Sequence, residues 1–148
     1  SFAMFATGRA WEQIRNSVAY TKLNVNIAAT HAGITVGEDG ASHQALEDIA
    51  LMRIIPNMHV FVPADAVEAE EIVRTAAEIK GPCYIRMSRS ATPLVYTDEK
   101  ADFKPGKSKV LREGNDVVVY ACGIMVSEAL SAADTLANDG ISVEVVNV

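Results

Sequence analysis

Residues 23–29 (Leu-Asn-Val-Asn-Ile-Ala-Ala) alternate at first and then turn fully apolar. That pattern suits a strand entering a parallel sheet covered on both faces, the arrangement found in α/β proteins. The strand runs directly into the chain's densest concentration of polar chemistry. Residues 30–44 hold two of the three histidines (His31 and His43), the adjacent carboxylates Glu38 and Asp39, and glycines 33, 37 and 40. Glycine admits positive φ and lets a ligand approach the backbone. A loop of this kind between a strand and a helix is where open α/β sheets bind ligands, at the strands' carboxyl ends. A tight connection with scattered polar residues is the alternative.

The rest of the chain alternates helix and strand. In residues 2–20, Phe2, Phe5, Ala6, Ala10, Ile14 and Val18 recur at three- and four-residue steps, one face of a helix, with Trp11 widening the stripe. Phe2 and Phe5 share that face, and by pattern alone they read as core. Ser42 reads as the N-cap of a helix carrying Ala45, Leu46, Ile49, Ala50 and Arg53. His43 would then sit in a helical first turn, whose positive end disfavours imidazolium, so a neutral ring is expected. Residues 58–62 form the next strand, with His59 at its start on the opposite rim from His31 and therefore structural. Asp65 and Glu68 resemble a capping box opening a helix that runs to Ile79. Residues 80–82 (Lys-Gly-Pro) stop it, residues 83–87 are a strand, and Arg89 leaves that strand's carboxyl end. His31, His43 and Arg89 thus converge on one rim as a candidate anion site, Arg89 supplying the permanent charge suited to phosphate. An ordinary ion pair of Arg89 with Glu38 or Asp39 is the alternative.

Residues 91–113 contain Pro93, Pro105, Gly106 and a mixed-charge run at 98–102, and read as a linker with a short strand near 109–111. A strand at 116–123, a helix at 126–137, a turn at 138–140 and a strand at 141–148 make a βαβ unit. The expected division is 1–90 for a first domain lacking its N-terminal part, 91–113 for the linker and 114–148 for the start of a second α/β domain. The chain reads as a fragment truncated at both ends. Its net charge of −6 over 148 residues argues against nucleic-acid binding by bulk electrostatics. No run of eighteen apolar residues spans a membrane. Cys83 and Cys122 lie in separate apolar runs without ligand spacing, so buried free thiols in a reducing cytoplasm are expected, with no metal on this chain.

Read together, Ala29-Thr30-His31, Gly37-Glu38-Asp39-Gly40, Ser42-His43-Gln44, Pro63-Ala64-Asp65 and Ser88-Arg89 resemble transketolase, along the whole of residues 2–148. They match its pyrimidine-binding domain and the opening of its C-terminal domain. The 2–10 stretch is similar to the C-terminal section of a split transketolase, in which two chains share the work. The resemblance implies a thiamine-diphosphate enzyme of the pentose phosphate pathway that moves a two-carbon ketol unit from a ketose phosphate to an aldose phosphate. By motif, His31 and Arg89 would hold the sugar phosphate and Asp39 a hydroxyl beside the donor carbonyl. His43 would be catalytic at the reacting oxygens, and Phe2 and Phe5 would pack on the aminopyrimidine, reversing their reading as core.

The resemblance further implies a dimer or heterotetramer with a diphosphate-binding section that carries Mg2+ or Ca2+, and an activating glutamate preceding the opening helix. It implies that these residues alone are inactive. Where many relatives have an aromatic residue this chain has Gly8, so the pyrimidine pocket must be closed otherwise, by Arg9 or a neighbour. A 1-deoxyxylulose-5-phosphate synthase usually has Ala at Glu38, and β-subunits of 2-oxo-acid dehydrogenases lack the Gly-Glu-Asp-Gly and His-Gln pattern. A non-catalytic assembly or regulatory module of the same fold need not keep His31, Asp39, His43 and Arg89 together.

Overall fold

A computed structural model describes residues 1–97 and 100–148, so Asp98 and Glu99 of the mixed-charge run lie outside the described residues. The chain is mixed α/β and forms two compact units, residues 1–62 with 72–91 and residues 63–71 with 92–148.

The first unit is built on a parallel sheet of order β1-β3-β2, with β1 Asn26–Ala29, β2 His59–Phe61 and β3 Cys83–Arg86. β3 is central because its residues are buried on both faces: Cys83, Tyr84 and Ile85 are all within 2% of complete burial. Ala29 stands level with Arg86 in the β1/β3 register, so the chain leaves both strands at the same edge of the sheet. Ala3, Ala6, Ile14 and Ala19 of the opening helical segment pack with Ala29, Met52, Ile55 and Tyr84. His59 opens β2 at the amino edge, away from His31, and is exposed.

The opening segment departs from the expected single α-helix. It contains a π-helical turn at Phe5–Arg9, a short α-helix α1 (Trp11–Gln13) and a second π-helical turn at Ile14–Ala19. The Ala10 N–H reaches the Phe5 carbonyl at 3.2 Å and the Tyr20 N–H reaches Arg15 at 2.9 Å, both five residues back. Wider turns of this kind occur preferentially at functional sites. They leave the three- and four-residue apolar steps almost unchanged, so periodicity does not reveal them.

Ser42 does not cap a helix. Helix α2 begins only at Asp48 (Asp48–Arg53), while Ala41–His43 forms a short 3-10 turn. The cause is a parallel bridge between Ala32 and Ala45, which requires extended backbone where the helix was expected. Leu46 is consequently exposed, and His43 has no helical first turn beside it, which removes the helix-dipole reason for a neutral ring.

In the second unit β5 (Val117–Ala121), α4 (Met125–Ala137) and β6 (Val143–Asn147) form the βαβ motif, with β5 and β6 parallel. β4 (Lys109–Arg112) adds antiparallel to β6. Tyr96 and Ala101 join Ala121 and Val126 in its core. The first half of helix α3 (Ala66–Glu78) belongs to this unit through its carboxylates. The Asp65 carboxylate accepts the Glu68 N–H at 2.9 Å, and Glu68 accepts the Ala64 N–H at 2.7 Å, a reciprocal cap. Asp65 also accepts the Val95 and Tyr96 N–H groups, and Glu68 accepts from Asn147. Cys83 is buried, which pushes its thiol up, and neither cysteine is in a disulfide.

Glu71 gives this unit an acid sensitivity. Its carboxylate accepts the Phe103 and Ala101 N–H groups, each at 2.8 Å, which holds its pKa below the usual carboxylate value. A carboxylate depressed by folding contributes stability that is present above its unfolded pKa and is lost as pH falls through the folded one. Thermal melts across the carboxylate range are therefore expected to fall more steeply with acid for the wild type than for Glu71→Gln. Equal slopes would count against it.

Candidate active site

The site lies in the first unit, at the edge where β1 and β3 end. Phe2 bridges Thr30, the Ala3 N–H reaches the Thr30 carbonyl at 2.8 Å, and the Thr30 N–H reaches the Ser1 carbonyl at 3.0 Å. The start of the opening helix is thereby pinned beside the residues that leave β1. His31 takes a left-handed φ of 61°, which turns the chain off the sheet. A non-glycine residue there is uncommon and strained, and such strain clusters at functional sites.

Four rings meet as a result. Phe2 stacks on His31 with centroids 3.9 Å apart and planes 13° apart. Phe2 and Phe5 are parallel within 8° at 6.0 Å. His43 stands edge-on to both, 5.9 Å from Phe2 and 5.2 Å from Phe5. Each imidazole is oriented by a neighbouring hydroxyl on Nδ1, His31 by Thr30 at 2.8 Å and His43 by Ser42 at 2.9 Å. Nε2 is then the nitrogen of each ring left for a ligand. Phe2 and Phe5, whose spacing alone suggested core, are only half-buried.

Arg89 follows the end of β3 and reaches the glycine-rich loop at Gly37 and Glu38. Its Nη1 lies 3.0 Å from where a Cβ on Gly37 would stand, and its Nη2 is 3.6 Å from Glu38. With Glu38 92% exposed, that ion pair is worth roughly 0–1 kcal/mol and does not commit the guanidinium. Both readings of Arg89 are thus compatible with its geometry, since the pairing exists and is weak. Asp39 is exposed at the end of the turn Ile34–Asp39, next to Glu38.

The residues suit a flat heteroaromatic group. Phe2 and Phe5 offer parallel apolar faces beside a histidine edge. A Cβ on Gly8 would meet only the Met4 sulfur, at 3.7 Å, so this position leaves room. The Arg9 guanidinium carbon lies 5.0 Å from the Phe5 ring centre, the two side chains four residues apart on one helical face. Among the described residues no cluster of three His, Cys, Asp or Glu side chains could hold a metal ion. No described helix is long and apolar enough to cross a membrane.

Sequence reasoning passed over one set of residues here. Asp48, 1% exposed, accepts hydrogen bonds from the Tyr84 hydroxyl at 2.9 Å and from Arg86 Nε at 2.8 Å. Its signal was present: Asp48 falls between Ala45 and Met52 on a buried stripe, and Arg86 ends an otherwise apolar strand. Burial and the Asp48 charge push the Tyr84 hydroxyl up, keeping it a donor.

The family description "Transketolase, pyrimidine binding domain" matches residues 1–95, and "Transketolase, C-terminal domain" matches residues 106–148. A Methanocaldococcus jannaschii protein described as a transketolase C-terminal section is 57% identical over 149 residues, covering 100% of this chain and 47% of its own length. A solved split-gene transketolase, described as an inactive β4 tetramer, superposes with a TM-score of 0.89 at 57% identity, over 99% of this chain and 46% of that one. The Pichia stipitis transketolase complex with sedoheptulose 7-phosphate gives a TM-score of 0.86 at 31% identity, over 99% and 22%. The chain therefore spans about half the length of its split relatives.

Proposed function

The chain belongs to the transketolase family, and from that premise we propose that it is the pyrimidine-binding part of a two-section enzyme transferring a two-carbon ketol unit between sugar phosphates. Its domains would divide at 1–90, a connecting stretch at 91–113, and 114–148. The observation that carries the reading is the meeting of Phe2 and Phe5 of the opening segment with His31 and His43 of the following loop at one sheet edge.

Thiamine diphosphate, when bound, supplies the carbanion chemistry. Phe2 and Phe5 would hold its aminopyrimidine ring, with Arg9 against Phe5 where relatives use an aromatic residue. The diphosphate and its Mg2+ or Ca2+ would belong to the other section. Arg89 and His31 would fix the phosphate of the sugar, since a doubly charged group needs oriented donors. Asp39 would accept a hydrogen bond from the hydroxyl beside the donor carbonyl, rejecting analogues that would leave it unpaired. His43 would hand a proton to the substrate's carbonyl oxygen as negative charge develops there and recover it afterwards. The site completes itself only in an assembly, a dimer or heterotetramer in the cytoplasm. That the split-gene β4 tetramer is described as inactive is in keeping with this.

The reading is tested by mixing the purified chain with thiamine diphosphate, magnesium and xylulose 5-phosphate, with an aldose phosphate acceptor. No ketol transfer is expected from these residues alone, and transfer is expected when the full-length chain, with the activating glutamate, is combined with a diphosphate-binding section. Activity of the chain alone would show that the cofactor site is misplaced.

A further inference from the structure

Resting on that reading, we propose that Arg86 is a positioning residue: anchored by buried Asp48, its guanidinium wedges the neck of loop 33–44 and sets where His43 and Asp39 sit. Arg86 is the last residue of β3, level with Ala29, so it stands where the loop leaves the sheet. Its contact with Asp48 runs through Nε alone, onto Oδ2. The other carboxylate oxygen, Oδ1, has no hydrogen-bond partner among the described residues. The pair is therefore not the bidentate fork that maximises an arginine–carboxylate contact.

The Nη end is directed at the loop instead. A Cβ on Gly33 would lie 3.2 Å from Arg86 Nη2, and Gly33 has a φ of 82°. Around that point the neck is sewn by backbone bonds, Gly33 N–H to the Ala45 carbonyl at 2.9 Å and Ala32 N–H to the Met87 carbonyl at 3.2 Å. Gln44 Nε2 adds a third, to the Ile34 carbonyl at 3.1 Å. Asp48 lies three residues beyond Ala45, so a single ion pair joins the strand end, the loop's entry and its exit. Stability alone does not call for charges here, because a matched apolar pair generally supports a buried site as well as an ion pair does. What an apolar pair would not supply is the guanidinium plate against Gly33. The two arginines divide the work: Arg86, with a side chain 19% exposed, is spent inward, while Arg89, 39% exposed, is open to a ligand.

The test uses the protein assembled with its diphosphate-binding section, as Arg86→Lys and as the charge-free pair Asp48→Leu with Arg86→Met. Hydrogen exchange of peptides covering 33–45 is compared with peptides covering α3, alongside thermal melting and steady-state kinetics. Exchange is expected to quicken in 33–45 alone, with kcat/KM for the sugar-phosphate donor falling on the order of 10²-fold, the scale of a small misplacement. Unchanged exchange in both variants would overturn the proposal. Quickened exchange with unaltered kinetics would sustain the neck and instead refute the roles given to His43 and Asp39. Should the paired variant not fold, Arg86→Lys, which keeps a charge near Asp48 but lacks the plate, decides the matter by the same readouts.

Discussion

Replacing His43 by alanine is expected to lower kcat of the assembled enzyme by about 10²–10⁴-fold, the contribution of a positioned acid–base group. The expectation rests on where the ring is held. Its Nδ1 is occupied by the Ser42 hydroxyl at 2.9 Å, and its edge faces Phe2 and Phe5, the rings assigned to the aminopyrimidine. Nε2 is left to work on the substrate oxygen. The fold should lose little, because an edge-on aromatic contact is worth about 0.5–1.5 kcal/mol beyond its buried area and His43 is only half-buried. A melting temperature within a few degrees of wild type, measured beside kcat, separates lost chemistry from lost structure. Wild-type kcat in this variant would remove His43 from the mechanism.

Arg89→Ala should act on one class of substrate. For a ketose phosphate donor, kcat/KM is expected to fall by about 10- to 10²-fold, the loss of hydrogen bonds to a charged group worth about 1.5–3 kcal/mol. An unphosphorylated ketose donor, which offers Arg89 nothing, should react as with the wild type. The contact given up in the free protein is the weak exposed pairing with Glu38 at 3.6 Å, so stability should hold. Equal losses for the two donors would mean that Arg89 shapes the loop instead of binding phosphate.

The parts legible in the sequence are those governed by local rules. The strands at Asn26–Ala29 and Cys83–Arg86, the capping box at Asp65 and Glu68, and the closing βαβ unit come from alternation, capping chemistry and turn residues. His31 and Arg89 each leave the carboxyl end of a strand, and the parallel register of β1 and β3 puts those two ends at one rim. Features fixed by contacts distant in sequence were not legible. Ser42 has the right chemistry for an N-cap, but the Ala32–Ala45 bridge holds the next residues extended and the helix waits for Asp48. The π-helical turns were hidden because one extra residue per turn barely alters the apolar spacing. The Asp48–Arg86 pair joins residues 38 apart, and only the packing of α2 against β3 declares it.

Phe2 and Phe5 show how the site itself differs from the fold. Their spacing is that of a core pair, and nothing in the periodicity distinguishes core packing from the cofactor contact proposed for them. The difference lies in their neighbours, two imidazoles from a loop that the sheet delivers beside them.

The most direct measurement is a crystal structure of the assembled enzyme soaked with xylulose 5-phosphate and thiamine diphosphate. The phosphate is predicted within hydrogen-bond distance of Arg89 and His31, with the aminopyrimidine against Phe2 and Phe5. A phosphate bound away from both Arg89 and His31 would contradict the account.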